Sequence, residues 1–260
     1  MLKMMNEELI YEVDSDDISL SSFKLRNSLN KKIWENDKLD GEVRLQLLDI
    51  ADDFIDYLNI KWVKPIDIKL VGSICNYNWS KISDVDLHII MDFSKIFKKK
   101  EIVQDFLDMK KNEWNNNHQN LTIYGFNVEL YVEDIKDDEK RTEPSYSLEK
   151  NKWVKEPDLD SISPIQKKDA PKIKRIAAEL MTKIDDIAET YNTARKDEMD
   201  DLIDTLENIL KFAKEQRSNS LKHNKTMGVG NIVYKILRRE GYIDKIRYLI
   251  NICYDKANSI

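Results

Sequence analysis

Apolar and polar positions change period several times along the chain. In GEVRLQLLDIADDFIDYLNI, residues 41–60, Val43, Leu47, Ile50, Phe54 and Leu58 recur every three to four positions. That period predicts an amphipathic helix, which Pro65 ends. IDIKLVG, 66–72, alternates apolar with polar at period two and predicts a strand; VDLHIIMDF, 85–93, predicts a second. A long helical stretch follows near 94–117, NNNHQN marks a turn, and LTIYGFNVELYV, 121–132, predicts one or two further strands. From Asp134 to Asp169 the chain is polar and carries Pro144, Pro157 and Pro164, the pattern of a connector with short ordered pieces. Beyond it the pattern is helical over 171–191, 194–218, 230–240 and 241–257. Pro171 suits a first helical turn and Gly241 the break between the last two helices. Residues 1–24, polar and acid-rich, are expected to be loosely held.

These elements predict an α/β (α+β) domain over 25–140, with a sheet flanked by helices, then a connector over 141–170 and an all-helical domain over 171–260. With 260 residues, 41% hydrophobic and 35% charged, the chain can bury a core, and six glycines with five prolines argue against a fibrous or disordered protein. A net charge of -6 gives no global field to attract nucleic acid, so such contact needs a local patch. No apolar stretch approaches the ~18 residues that would span a bilayer, and MLKMMNEELIYEVDSDD has no signal-peptide core. Cys75 and Cys253 are too few for a disulfide framework. A cytoplasmic protein without membrane partners is the expectation.

Candidate chemistry concentrates in VGSICNYNWSKISDVDLHII, residues 71–90. Asp84 and Asp86 sit two apart where a strand begins, so alternation puts both carboxylates on one face, about 6–7 Å apart. Two such anions repel and lose hydration, costing several kcal/mol unless compensated. A divalent cation compensates, and carboxylate oxygens suit Mg²⁺. Glu129 is the other charge inside a strand-like apolar run, and it completes a three-carboxylate cluster if the two strands are neighbours. Gly72 lets a backbone approach a ligand, and Ser73 offers a hydroxyl and a helix-start N–H to phosphate oxygens. The plainer alternatives are a strand–turn–strand with an acidic turn, and a Glu129 paired with Lys or Arg at a sheet edge.

Gly72-Ser73, then Ser83-Asp84-Val85-Asp86-Leu87, then an acidic residue in a later apolar strand resembles the polymerase-beta-like nucleotidyltransferase superfamily. The likeness covers roughly residues 66–132. It implies a nucleotidyltransferase-like mixed sheet followed by a helical domain, and transfer of a nucleoside monophosphate from a nucleoside triphosphate such as ATP, with release of pyrophosphate. It implies that Gly72 and Ser73 bind the triphosphate. Asp84 and Asp86 would hold Mg²⁺ or Mn²⁺, with Glu129 as third ligand or as base toward the acceptor hydroxyl. The third position is usually Asp in that superfamily, and Glu129 departs from it by a longer side chain. The acceptor implied is an RNA 3′ end, a second nucleotide, or a small-molecule or protein hydroxyl. A catalytically silent nucleotide- or partner-binding module of the same fold is the rival.

Other motifs carry less. His88 shares the face of Asp84 and Asp86 and is read as a residue hydrogen-bonded within the sheet. His118 and His223 have no ligand-like neighbours, so zinc is not expected. Cys75 reads as a small buried residue. MGVGN, 227–231, reads as a turn before a helix. Lys211, Lys214, Arg217, Lys222, Lys225, Lys235, Arg238, Arg239, Lys245 and Arg247 make a basic interval, either a solvated helix face or a wall for triphosphate or nucleic-acid backbone. Tyr146 and Trp153 either stack on a base or pack between the domains.

Overall fold

Asp40 opens the first long helix by accepting the Glu42 and Val43 N–H groups at 2.9 and 3.1 Å. This helix, α1 (Gly41–Leu58), ends on Asn59 in the left-handed region and buries all five residues of the predicted stripe. The computed structural model describes residues 13–222 and 226–259, and only the backbone for the pairing of Met4–Met5 with Glu8–Leu9. The chain divides into two units, 25–161 and 1–24 with 162–260.

The 25–161 unit is built on one sheet. Its strands are β1 (Asp67–Val71), β2 (Val85–Met91), β3 (Thr122–Ile123), β4 (Phe126–Asp134), β5 (Ser145–Ser147) and β6 (Lys152–Lys155). Their spatial order is β6-β5-β1-β2-β4-β3. β1 runs antiparallel to β2 and to β5, whereas β2 and β4 are parallel. A parallel pair needs a long crossover, and α2 (Lys100–Asn117) supplies it. The helical stretch expected from 94 is broken: a four-residue helix, Phe93–Ile96, precedes α2, and Phe97 and Lys99 are extended between them. The stretch expected as a connector supplies β5 and β6.

The two faces of the sheet differ. Ile68, Leu70, Leu87, Ile89, Leu130, Val132 and Tyr146 form one core with the α1 stripe and with Val103 and Leu107 of α2. Cross-strand partners stand on the same face, and the other face is polar. There Val71 pairs with Asp86 and Asp86 with Glu129; Lys69 pairs with His88 and Ser147, and His88 with Tyr131; Asp67 pairs with Ile90 and Ile90 with Glu133. β1 is the strand its alternation predicts, and it is buried on both faces. Asp67 and Lys69 tolerate this because each is neutralised. Asp67 pairs with Lys150 at 3.3 Å and accepts the Ser147 hydroxyl at 2.6 Å, and Lys69 pairs with Asp138.

The second unit contains α3 (Ala170–Thr193), α4 (Met199–Lys222), α5 (Val229–Arg239) and α6 (Tyr242–Asn258). Pro171 sits in the first turn of α3. Ile184, Ile187, Leu206, Ile209, Ile246 and Leu249 meet in its core. Gly230 lies within α5, where a Cβ would fall 2.3 Å from the Gln216 carbonyl oxygen; its role is close helix approach, beyond the turn read in MGVGN. Residues 13–24 are not loosely held. The Val13 N–H donates to Thr182 Oγ1 at 3.0 Å, and Arg239 donates to Ser19 O and Ser22 Oγ while lying over the Phe23 ring. Among the described residues no helix is long and apolar enough to cross a membrane.

Candidate active site on the polar sheet face

Gly72 follows β1 with φ 76° and ψ -160°, a conformation essentially reserved for glycine. The space of its missing Cβ is filled by the carboxylate of Asp86: a methyl at residue 72 would lie 1.9 Å from Asp86 Oδ2. Asp86 in turn faces Glu129 across the parallel β2–β4 ladder. The structure therefore brings together three of the five residues singled out by sequence, on one face. Asp86 and Glu129 are both half-buried. The Tyr131 hydroxyl donates to Glu129 Oε2 at 2.5 Å, and among the described residues Glu129 forms no ion pair, unlike the edge pairing weighed for it.

The other two approach through a short hydroxyl chain. Ser73 opens a three-residue 3-10 turn, Ser73–Cys75, after Gly72. Its hydroxyl donates to Ser83 Oγ at 2.8 Å, and Ser83 Oγ also accepts the Ser80 N–H at 2.9 Å. The loop after β1 is thus tied to the residue just ahead of Asp84. Asp84 is half-buried and stands one residue before β2, outside the ladder. Ser83 stands at the head of the Asp84-Val85-Asp86 motif, but its sequence pattern gives it no role, since serine in a turn carries no distinctive signal.

Deeper along the same face lies an ionic network. His88 Nδ1 lies 2.8 Å from Glu133 Oε2; Arg141 pairs with Glu133 and reaches Asp138 Oδ1 at 3.4 Å; Asp138 pairs with Lys69. Burial holds the His88 imidazole below its ordinary pKa despite the Glu133 bond. Burial also pushes the Glu133 carboxyl up, but His88 and Arg141 outweigh it and leave Glu133 below the usual range. Cys75 is fully buried, and burial, reinforced by the Asp86 charge, pushes its thiol well up, which suits an inert core residue.

Asp86 and Glu129, two carboxylates facing each other across adjacent strands, are of the ligand type that Mg²⁺ and Mn²⁺ take. Three-way convergence is another matter. Among the described residues no three His, Cys, Asp or Glu side chains form a group that would hold a metal ion.

The remaining candidates are placed elsewhere. Trp153 stacks on Trp34 at 4.5 Å, and Tyr146 meets both rings edge-on at 5.2 Å. These aromatics pack on one another and on Trp34 within the sheet unit. His118 stacks on Trp114 at 4.0 Å; His223 and Lys225 lie outside the described residues. In the basic interval Arg217 covers Tyr234, Arg239 holds the N-terminal segment, Lys245 bonds Asp185 at 2.5 Å and Arg247 bonds Asp244 at 2.9 Å. Much of its charge is spent on structure. A cleft of about 510 Å³ in the helical unit, lined by Val13, Arg175, Thr182 and Asp186 among others, contains none of the candidate residues. No family model matches the chain, and neither a curated protein nor a solved structure matches it.

Proposed function

We propose that the chain is a metal-dependent nucleotidyltransferase of the polymerase-beta-like kind. The observation that carries this reading is the register of β2 and β4, which sets Glu129 opposite Asp86 while Gly72 receives the Asp86 carboxylate. Asp84, Asp86 and Glu129 would hold Mg²⁺ or Mn²⁺, which when bound supplies Lewis-acid stabilisation of charge on the phosphoryl oxygens. Gly72 and Ser73 would orient the triphosphate of ATP or another nucleoside triphosphate. The acceptor oxygen attacks the α-phosphorus, its proton passes to a carboxylate of the cluster, the bond to the bridging β-phosphate oxygen breaks, and pyrophosphate leaves. The acceptor is an RNA 3′ end or a second nucleotide; a small-molecule or protein hydroxyl fits the same chemistry.

The test is incubation with each labelled nucleoside triphosphate and Mg²⁺ or Mn²⁺, with and without total RNA, resolving products by size. Asp84→Ala and Asp86→Ala are expected to abolish transfer while leaving circular dichroism unchanged; transfer persisting in either folded variant overturns the assignment. A second reading, a silent nucleotide- or partner-binding module of this fold, draws on the lack of a three-ligand group among the described residues. Metal-dependent nucleotide binding without turnover across a broad acceptor panel would favour it.

A further inference from the structure

Tyr131 is held more firmly than a half-buried strand residue requires. The His88 ring packs against it at 4.8 Å with a 31° tilt, and the Lys111 ammonium, arriving from α2, lies 4.2 Å from its ring centroid. His88 is itself fixed by Glu133, which Arg141 holds. From this braced ring the hydroxyl reaches two residues back along the same face to Glu129 Oε2, at 2.5 Å. That is the short range of a hydrogen bond to an ionised carboxylate.

We infer that Tyr131 is a positioning residue for Glu129, transmitting the rigidity of the ionic network to the acidic pair. The inference rests on the reading of Asp84, Asp86 and Glu129 as a nucleotidyl-transfer site. A glutamate has three side-chain torsions, one more than the aspartate usual at this position, and the bond at Oε2 removes that extra freedom. Oε1 would then be available to the ion or to the acceptor proton. Lys111 and His88 keep the ring from turning; the hydroxyl does the positioning. Partners of this outer kind typically change metal affinity or activity by about 10–100-fold when removed.

The experiment uses Mn²⁺ as the probe, its binding read by electron paramagnetic resonance of the free ion, together with transfer kinetics, on the full chain. Tyr131→Phe keeps the ring and removes the hydroxyl. Its Mn²⁺ dissociation constant is expected to rise, and its kcat to fall, by about tenfold or more. The KM for the nucleoside triphosphate should stay within about twofold, because the phosphates meet Gly72 and Ser73 instead. In a Glu129→Gln background the same substitution should add nothing, whereas general damage to the sheet would add its full effect. If Asp86→Asn loses Mn²⁺ while Tyr131→Phe binds and turns over like the wild type, the Tyr131 assignment alone falls. If Asp86→Asn binds Mn²⁺ like the wild type, the site reading falls and this inference with it.

Discussion

Gly72→Ala separates the backbone demand at residue 72 from the chemical one. The new methyl would meet Asp86 Oδ2 at 1.9 Å, so the carboxylate has to withdraw by about 1 Å before the contact is tolerable. The backbone at φ 76° and ψ -160° adds strain on the order of 1–3 kcal/mol for any side chain. In a chain of this size each kcal/mol lowers Tm by about 2–4 °C, which gives a fall of about 2–12 °C. A shift of that size at a reacting group costs about 10²-fold in rate. Gly125→Ala is the matched control: its φ is also positive, at 85°, but nothing lies within 4 Å of the position of its Cβ. It should lose stability on the order of 1–2 kcal/mol and keep wild-type transfer. Thermal denaturation and the labelled-nucleotide assay, run on both variants, read the two effects apart. Equal transfer by the two alanine variants would refute the reasoning, since the seating of Asp86 against residue 72 would then have no bearing on the reaction.

Two further outcomes follow from the polar face. Asp138→Ala strands Lys69, whose side chain is 8% exposed, as a buried charge; a loss of about 3–5 kcal/mol in urea denaturation is expected, and an apolar pair, Lys69→Met with Asp138→Leu, should restore most of it. For pH, His88 is held below its ordinary value of 6.5, so the unfolded chain takes up a proton before the folded one does, and stability falls as pH drops below about 6.5. Glu133 is held below 4.5, so the stability it contributes above that value is lost as pH falls further, through its folded pKa. Urea midpoints from about pH 8 to about pH 3 should show both declines in the wild type; in His88→Gln the first should vanish and the second should shrink, because His88 is one of the two groups that hold Glu133 down.

The long periodic elements were legible because packing agrees with local pattern. α1 buries the stripe its spacing predicts, and the runs around 67–71, 85–91 and 126–134 are strands. β5 and β6 were not, since Ser145 and Ser147 carry no apolar signal and are buried by pairing, with Ser147 bonded to Asp67. The break before α2 lies in a lysine run with no Gly or Pro to mark it. At the site, residue types were readable but register was not: period two puts Asp86 with His88 and Glu129 with Tyr131, while only the ladder sets those pairs side by side. Arg141 and Asp138 were hidden because a buried ion pair looks, in sequence, like surface charge. Tyr146 and Trp153 lacked any sign of their partner, Trp34, far away in the chain.

The parallel ladder that joins Asp86 to Glu129 also governs when the site comes into being. A whole crossover helix separates these residues along the chain, and loop-closure entropy delays such distant pairings until much else has condensed. The acidic pair is therefore expected to be a late product of folding. On refolding from urea, the proposed transfer is expected to return only after the helical circular-dichroism signal.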